Sequence, residues 1–597
     1  MKIKNSYLLK GIRLAISVDK SWFINTVVIR VITGLIPITS VWLTENIVNQ
    51  VVELSETGTF RKELAVFILF QFIIFVLTIS STNLINIVNK RMEMKLSYEL
   101  IKMVSEKSST APLIYFENPE FFHHHDRIQG DLGRKFLLPI NNLFSIFSSL
   151  ITIFSLITYL LNVHIGLVIL SIAAGIPIVY FQSRYGNKQF HLLITQTPFA
   201  RKASYLAALL NDRNSIKEIR LFNFKKYIMN EWSILFKKNN DEAFSLIKRK
   251  ENVNIALNIL VEFLYVLKLA LLILLIIQKK ITIGAFIAVT NSIQRTKSEM
   301  RSISNGLASV YSESLYISDL YKFLEYEDKT LHANYFLGET PFPAPLKKGI
   351  TLRGIEFSYP GSNRDVLKGI DLEIKQGEKV AIVGNNGSGK STLIKCLMGI
   401  YPINQGEIFF DDISINSLTE ASLHENITVV FQDFVKYNLS LRENIACGNI
   451  QELSNSPKIQ EASEETGIHH LAEDLKNGYD TQLGKVLQEG EDLSLGQWQK
   501  VALTRALFKG GQIFILDEPT SALDPKSELE VFEKFKEISK ERTTLFISHR
   551  MASARMADKI VVMQDGEIIE VGTHLELMKQ EGEYSKMYKM QSKWYEE

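Results

Sequence analysis

Long runs of apolar residues occupy most of the first half of the chain. The clearest run lies between Lys135 and Arg184, where no Asp, Glu, Lys or Arg occurs. A bilayer core needs roughly 20 apolar residues per helix, so this run is long enough for two spans. The polar letters NVH, which end at His164, predict a tight turn between spans at about 140–161 and 165–182.

Further apolar segments complete a predicted membrane domain. Three lie at 22–44, 64–88 and 252–277, and a last one begins at Ile281. This last segment turns polar early, at NSIQRTKSEM. A polar-faced helix is tolerated in a membrane where it lines a wet cavity rather than facing lipid. We therefore expect an all-α domain of six transmembrane helices.

Charged residues between the spans indicate how this domain is oriented. Eight lysines and arginines separate the second span from the third, and another long basic loop separates the fourth from the fifth. Such loops stay in the cytoplasm. The segment after the first span instead carries Glu53, Glu56 and Glu63. Both termini and the second half of the chain are then cytoplasmic, although Lys279 and Lys280 oppose this orientation.

The second half of the chain has the composition of a globular domain. A polar, proline-bearing stretch predicts a linker, which divides the chain into a membrane domain at 1–325, the linker at 326–348 and a second domain at 349–597. The whole chain has 597 residues and a formal net charge of +2, so it lacks the basic excess that nucleic-acid binding needs. Its two cysteines are too few for a disulfide framework.

The segment VAIVGNNGSGKST, at 380–392, joins an apolar strand pattern to a glycine-rich loop. In a P-loop the glycines let consecutive backbone N–H groups point at phosphates, while Lys390 supplies a cation and the Ser391 hydroxyl a Mg²⁺ ligand. The alternative is an ordinary glycine turn before a helix. The predicted ATP-binding residues of this loop are Gly384, Asn385, Asn386, Gly387, Ser388, Gly389, Lys390, Ser391 and Thr392.

Two later apolar strands end in chemically active side chains. IFILDEP delivers Asp517 and Glu518, which we assign to Mg²⁺ binding and to general-base catalysis on the attacking water. TTLFISH ends in His549, placed to contact the γ-phosphate and orient that water. The alternative interpretation is that the two acids belong to an ordinary turn at the end of a strand and that the histidine has no catalytic role. A P-loop in the same domain favours the catalytic interpretation.

The stretch LSLGQ, at 493–497, has two interpretations. Ser494 followed three residues later by Gln497 is a capping box, which any helix start can carry. The stretch also resembles the LSGGQ signature of ABC ATPases, with Leu495 in place of a glycine. The resemblance to that α/β family covers the chain from about Gly349 to its end. It rests on Tyr359 in FSYP, Gly384 to Thr392, Gln432 in VVFQDF, Leu493 to Gln497, Asp517, Glu518, Ser521 to Asp524 in SALD, and His549.

The resemblance implies roles for the matching positions. Tyr359 corresponds to the aromatic that stacks on adenine, and Gln432 to the residue that links Mg²⁺ to the membrane domain. Asp524 corresponds to an acid at the dimer seam. In the family, the signature of one subunit closes over ATP held by another, so Ser494 and Gly496 would donate to the γ-phosphate in trans, with Leu495 and Gln497 beside them. A homodimer with two equivalent sites is expected, in which Leu495 weakens or slows closure without abolishing it.

The membrane half resembles six-span exporters, whose two long cytoplasmic loops rest on the ATPase domains. YFENPEFFHHHDRI and SIKEIRLFN are similar to the two coupling segments. Adjacent helical residues point about 100° apart, so His123, His124 and His125 cannot converge on one metal ion. We expect Glu262 to line a cavity, against packing in an interface or snorkelling to the membrane surface.

Two further stretches, FQDFVKYNLSLRENI and QEGEDLSLGQWQKVALTRAL, resemble bacterial exporters of lantibiotics such as nisin and related ribosomally made peptides. The resemblance implies a peptide cargo and a place in the bacterial plasma membrane. It also implies enzymes that modify the peptide, and a separate leader protease, because no cysteine precedes the first span. Multidrug or lipid export is the alternative, followed by an ATP-gated channel or regulator. A soluble ABC ATPase is excluded by the uncharged stretch at 136–183.

Overall fold

The computed structural model describes residues 5–118, 121, 124–125, 128, 130–326, 336, 338–362, 364–485, 490–517, 542–548 and 551–596. The chain forms two compact units. The first comprises Met1–Thr110 and Glu120–Tyr326, and the second comprises Ala111–Pro119 and Glu327–Glu597.

The first unit is helical, and a short helix of the second unit interrupts it in sequence. Six of its helices have 32 residues or more. In chain order the helices of the described residues up to 324 are α1 (Asn5–Val18), α2 (Lys20–Thr57), α3 (Lys62–Thr110), α4 (Leu113–Phe116, in the second unit), α5 (Leu132–Val163), α6 (Ile165–Asn211), α7 (Arg213–Leu221), α8 (Lys225–Ile277) and α9 (Ile283–Leu324).

Within the described residues, five helical segments are long and apolar enough to cross a membrane: α2, α3, α5, α8 and the Ile165–Gly186 part of α6. The predicted turn between the third and fourth spans is confirmed, since α5 ends at Val163 and α6 begins at Ile165. His164 caps α6 by accepting a hydrogen bond from the Gly166 N–H at 3.0 Å. The 53 residues of α8 extend about 80 Å, far more than a bilayer core requires.

Helix α9 is the predicted sixth span, and it is too polar to count among those five. Its polar residues lie on two faces. Ser292 and Thr296 are buried, and each hydroxyl donates to the carbonyl four residues earlier at 2.8 Å. A second face, at spacings of three and four residues, is exposed. It consists of Asn291, Gln294, Arg295, Ser298 and Arg301.

The second unit contains ten strands within its described residues. They are β1 (Gly349–Phe357), β2 (Leu367–Lys375), β3 (Lys379–Gly384), β4 (Gln405–Phe410), β5 (Ile413–Ser414), β6 (Ile427–Val430), β7 (Ile513–Asp517), β8 (Thr543–Ile547), β9 (Lys559–Gln564) and β10 (Glu567–Gly572). Its further α-helices are α10 (Lys390–Leu397), α11 (Glu420–Asn426), α12 (Leu441–Ala446), α13 (Ser456–Thr466), α14 (His469–Asp474), α15 (Leu495–Lys509), α16 (Met551–Ala554), α17 (His574–Gln580) and α18 (Glu583–Glu596).

The strands form two sheets. Six strands pair in the order β10-β9-β3-β8-β7-β6, all parallel except β10, and four antiparallel strands pair in the order β2-β1-β4-β5. The apolar runs of β3, β7 and β8 are buried, as parallel strands covered on both faces require. The carboxyl ends of parallel strands meet at one edge, where ligands bind in α/β proteins. The predicted P-loop follows β3 at that edge. Fold class is thus confirmed as an all-α helical domain with an α/β domain.

Part of the predicted linker packs on the second unit. Thr340 bridges to Leu418, the Phe342 ring lies 5.2 Å from the ring of Phe410, and the Leu346 N–H donates to Gln512 Oε1 at 2.7 Å. These contacts attach residues 340–346 to the α/β domain before β1 begins. The domain limits drawn from the sequence stay a prediction.

Candidate nucleotide-binding site

The predicted P-loop lies between β3 and α10, and its backbone requires glycine. Gly384 has a φ of 148°, and a Cβ there would lie 2.1 Å from the carbonyl oxygen of Met563. Gly389 has a φ of 101°, with Val366 O at 3.0 Å from such a Cβ. Any other residue would be strained at either position. Asn385, Asn386 and Gly387 form the exposed part of the loop.

The two polar residues that open α10 are held close to the loop and to β7. The Lys390 side chain is buried, and its Nζ donates to the carbonyls of Gly384 at 2.9 Å and Asn385 at 3.0 Å. Ser391 Oγ lies 3.5 Å from Asp517 Oδ1. The sequence predicted Lys390, Ser391 and Asp517 from two segments more than a hundred residues apart. The structure places these segments side by side.

This donor set fits Mg-nucleotide. A hydroxyl beside a carboxylate is an all-oxygen arrangement of the kind that Mg²⁺ prefers. Ser388 Oγ is buried and lacks a hydrogen-bond partner in the described part of the chain. Buried polar atoms are usually satisfied, and a phosphate oxygen at the loop would satisfy this hydroxyl. Thr392 is also buried, on the first turn of α10.

Tyr359, the predicted adenine-stacking residue, lies beside the P-loop helix. Its hydroxyl is 3.2 Å from Thr392 Oγ1, and its ring packs edge-on against Phe357 and Tyr401, with centroids 5.1 and 5.7 Å away. Tyr359 also lines a cleft of about 300 Å³, together with Ile114 and Asn404. An aromatic ring in an open cleft beside a phosphate-binding loop is suited to stacking on a base.

Tyr401 connects this aromatic group to α4, a contact that sequence reasoning missed. Its buried ring stacks on Phe357 with centroids 5.5 Å apart, and its hydroxyl donates to Glu117 Oε1 at 2.9 Å. Burial and the neighbouring Glu117 carboxylate raise the pKa of the Tyr401 hydroxyl. Ile114 of α4 is buried in the same hydrophobic core. The first predicted coupling segment therefore begins within the nucleotide-binding unit.

The signature-like stretch forms the start of α15. Ser494 caps the helix by accepting from the Gln497 N–H at 3.3 Å, and Gln497 Oε1 accepts from the Ser494 N–H at 2.8 Å. The predicted capping box is therefore confirmed. Leu495 is the first helical residue and its side chain is 52% exposed, while Gly496 is half-buried. The role of these residues toward the nucleotide of a second chain stays a prediction.

A network missed by sequence reasoning links α15 to the loop after Gln432. Gln432 is exposed and follows β6. On α15, Arg505 Nε donates to the Asn444 carbonyl at 3.0 Å, and Arg505 Nη2 to Asn444 Oδ1 at 3.1 Å. The buried Asn444 side chain donates in turn to the carbonyls of Tyr437 and Leu439. An arginine within the mostly apolar stretch VALTRALF of this helix was the one available signal.

Three predicted site residues, Glu518, Asp524 and His549, lie outside the described residues. The strand ends that precede two of them are nonetheless neighbours, because Asp517 on β7 pairs with Ile547 on β8. Of the histidine triplet, His123 also lies outside. His124 Nδ1 is 3.2 Å from Asp319 Oδ1 in the interior of the first unit, and the His125 ring packs on Phe323 at 5.5 Å.

Comparisons with known proteins agree with this site. Residues 367–521 match the ABC transporter family model. The subtilin transport ATP-binding protein SpaT of Bacillus subtilis is 32% identical over 97% of this chain and 93% of its own length. The nisin transport ATP-binding protein NisT of Lactococcus lactis is 30% identical over 97% and 95%. A bacterial Atm1-family ABC exporter with ATP bound shares the fold, with a TM-score of 0.77 and 22% identity over 95% of this chain and 98% of that one.

These findings define an ABC exporter, with an ATPase domain fused to a helical membrane domain. The chain belongs to the ABC transporter family. It is a membrane protein that couples ATP hydrolysis to transport.

Replacing Tyr401 with phenylalanine should loosen α4 while preserving the stacked ring. Loss of one hydrogen bond lowers stability by about 1 kcal/mol, which corresponds to about fivefold faster exchange through local opening. Hydrogen exchange of residues 111–118 in the full-length protein, followed by mass spectrometry, measures this. Tyr359→Phe is the matched control, because it removes the contact with Thr392 and should leave that segment unchanged. Unchanged exchange in Tyr401→Phe would contradict the tethering role.

The exposed Leu495 side chain is predicted to crowd an approaching second chain, so Leu495→Gly should raise the ATPase rate or leave it unchanged. Leu495→Ala serves as a control that shortens the side chain without adding glycine's flexibility. Ser494→Arg should abolish hydrolysis, because it removes the cap and fills the same surface with a large cation. Steady-state ATPase assays on the purified chain measure the rates of these variants against the wild-type rate. Complete loss of activity in Leu495→Gly would show that the leucine is required.

Proposed function

We propose that the chain exports a ribosomally made, lantibiotic-like peptide across a bacterial plasma membrane, as a homodimer driven by ATP hydrolysis. The observation that carries this proposal is the similarity to the subtilin and nisin transport proteins, which extends over 97% of the chain and therefore includes the membrane half. Similarity confined to the ATPase domain would support hydrolysis alone.

The P-loop and β7 supply the nucleotide-binding part of this function. Lys390 and the backbone of 384–392 bind the phosphates, and Tyr359 stacks on adenine. Ser391, Asp517 and Gln432 would hold Mg²⁺, which neutralises phosphate charge when bound. The proximity of Ser391 and Asp517 supports the assignment.

The hydrolytic step is assigned to residues that follow two neighbouring strand ends. Glu518 accepts a proton from the attacking water, and His549 orients that water against the γ-phosphate. The pairing of Asp517 with Ile547 supports this assignment, because each catalytic residue follows one of these two strands within two residues.

The second half of each site would come from another copy of the chain. Ser494 and Gly496 at the start of α15 would donate to the γ-phosphate in trans, and Asp524 would lie at the seam. The exposed helix start, with its positive dipole end, supports anion binding there. Two identical chains would complete two sites.

The basic loops between the predicted spans support an orientation with both termini and the ATPase domain in the cytoplasm, where ATP is available. A peptide cargo of this class would also require peptide-modifying enzymes and a separate leader protease. Nucleic acid has no part in this function.

Cells that carry Glu518→Gln should lose peptides from the culture medium that wild-type cells secrete, since hydrolysis would be blocked while the protein remains intact. Mass spectrometry of the medium measures this. Glu567→Gln is the matched control, because it makes the same change at an exposed residue on β10.

Identical secreted peptides in wild-type and Glu518→Gln cells would remove the peptide-export proposal. Hydrolysis that is stimulated by drugs or lipids rather than peptides would favour the multidrug or lipid alternative. Flux that continues without hydrolysis would favour a channel.

A further inference from the structure

A lysine lies buried among the membrane helices without a counter-ion. Lys268, on α8, is only 4% exposed, and in the part of the chain that the structure describes its ammonium group makes no hydrogen bond or ion pair. It lies nine residues before the end of α8 at Ile277, about 14 Å along the helix axis. Lys268 therefore belongs to the apolar depth of the predicted span and not to its ends.

Lys268 borders a small cavity between three helices. The cavity, of about 20 Å³, is lined by Ser171 on α6, Tyr265 on α8, and Thr296 and Lys297 on α9, together with apolar side chains. The Ser171 and Thr296 hydroxyls donate to carbonyls of their own helices, at 2.7 and 2.8 Å. No acidic residue is among the lining residues. The cavity can hold one small polar group, because a single water molecule needs roughly 10–15 Å³ by this measure.

The charges around this cavity do not balance. The Lys297 ammonium is paired with the Glu262 carboxylate, whose side chain is 55% exposed. The nearest further acid along α9, Glu299, is paired with Arg295 at 3.1 Å and accepts a hydrogen bond from Ser149. Lys297 therefore has a carboxylate partner, and Lys268 has none among the described residues. A charged group at membrane depth is costly unless it meets an opposite charge.

We propose that the cavity beside Lys268 binds a carboxylate of the transported peptide, an inference that rests on the proposed function. The Lys268 ammonium donates to a carboxylate oxygen, and Tyr265, three residues earlier on α8, also lines the cavity. Lys297, which lines the same cavity, is already paired with a carboxylate, that of Glu262. A lipid phosphate is disfavoured, because headgroups lie at the ends of the spans, about 14 Å from this position.

Binding of two probe peptides to the full chain tests the proposal. The probes are an alternating alanine–glutamate peptide and its alanine–glutamine twin, both capped and labelled with an uncharged dye. The protein is held in phosphatidylcholine nanodiscs, and fluorescence anisotropy measures affinity. Wild-type protein should bind the glutamate peptide about tenfold more tightly than the glutamine peptide.

Three variants locate the cause of that preference. Lys268→Met, which keeps the side-chain volume, should remove it, and Lys268→Arg should retain it. Lys280→Met, at an exposed lysine outside the cavity, should also retain it and so controls for overall charge. Equal affinities in wild-type protein, or a preference that survives Lys268→Met, would overturn the site. Survival is also the result expected if a carboxylate of a second copy of the chain occupies the cavity.

The peptide-binding experiment and the secretion experiment can fail independently of each other. Secretion that depends on Glu518, combined with no charge preference, would overturn the Lys268 site alone. A preference that requires Lys268, combined with unchanged secretion in Glu518→Gln, would support the site and remove peptide export. Basal ATPase activity in Lys268→Gln, a second neutral variant, shows that loss of the charge leaves the protein folded.

Discussion

The parallel pairing of three strands decides where nucleotide chemistry can take place in this molecule. Ile547 on β8 pairs with Ile382 on β3 on one side and with Asp517 on β7 on the other. The P-loop after β3 and the acid at the end of β7 therefore emerge at the same edge, one strand apart. Ser391 on the first turn of α10 reaches across this gap to Asp517. No local sequence feature would bring these two residues together without the sheet.

The aromatic residues beside the P-loop helix connect the candidate site to a segment that is part of neither sheet. Tyr359 contacts Tyr401, and the Tyr401 hydroxyl donates to Glu117, so Tyr359 and Ile114 of α4 pack in one hydrophobic core. In the chain, α4 comes between α3 and α5, which both belong to the helical unit. The position of α4 and the packing around Tyr401 are therefore fixed by the same contacts.

Residues that belong to a short sequence motif were predicted from the sequence. Residues whose contacts are distant in the sequence were not. The P-loop, Asp517, the Ser494 capping box and the turn at His164 each follow from spacing within a few residues. Tyr401 and its partner Glu117 are 284 positions apart, and the sequence around either residue does not predict their contact. Arg505 and Asn444 are likewise joined only by packing. Lys268 gave no local signal either: among the described residues it has no partner, whereas Lys297 on the neighbouring helix is paired with Glu262.

The central claim is that ATP is enclosed between two copies of the chain, and cross-linking between chains tests it most directly. One chain would carry Asn386→Cys on the exposed P-loop and another Leu495→Cys, both with Glu518→Gln to retain ATP and with the native Cys396 and Cys447 replaced by alanine. The account predicts that a short bis-maleimide joins two chains when the variants are mixed with ATP, and not when either is alone. Failure of the mixture to form a two-chain product, in protein that binds ATP, would contradict a site shared between chains.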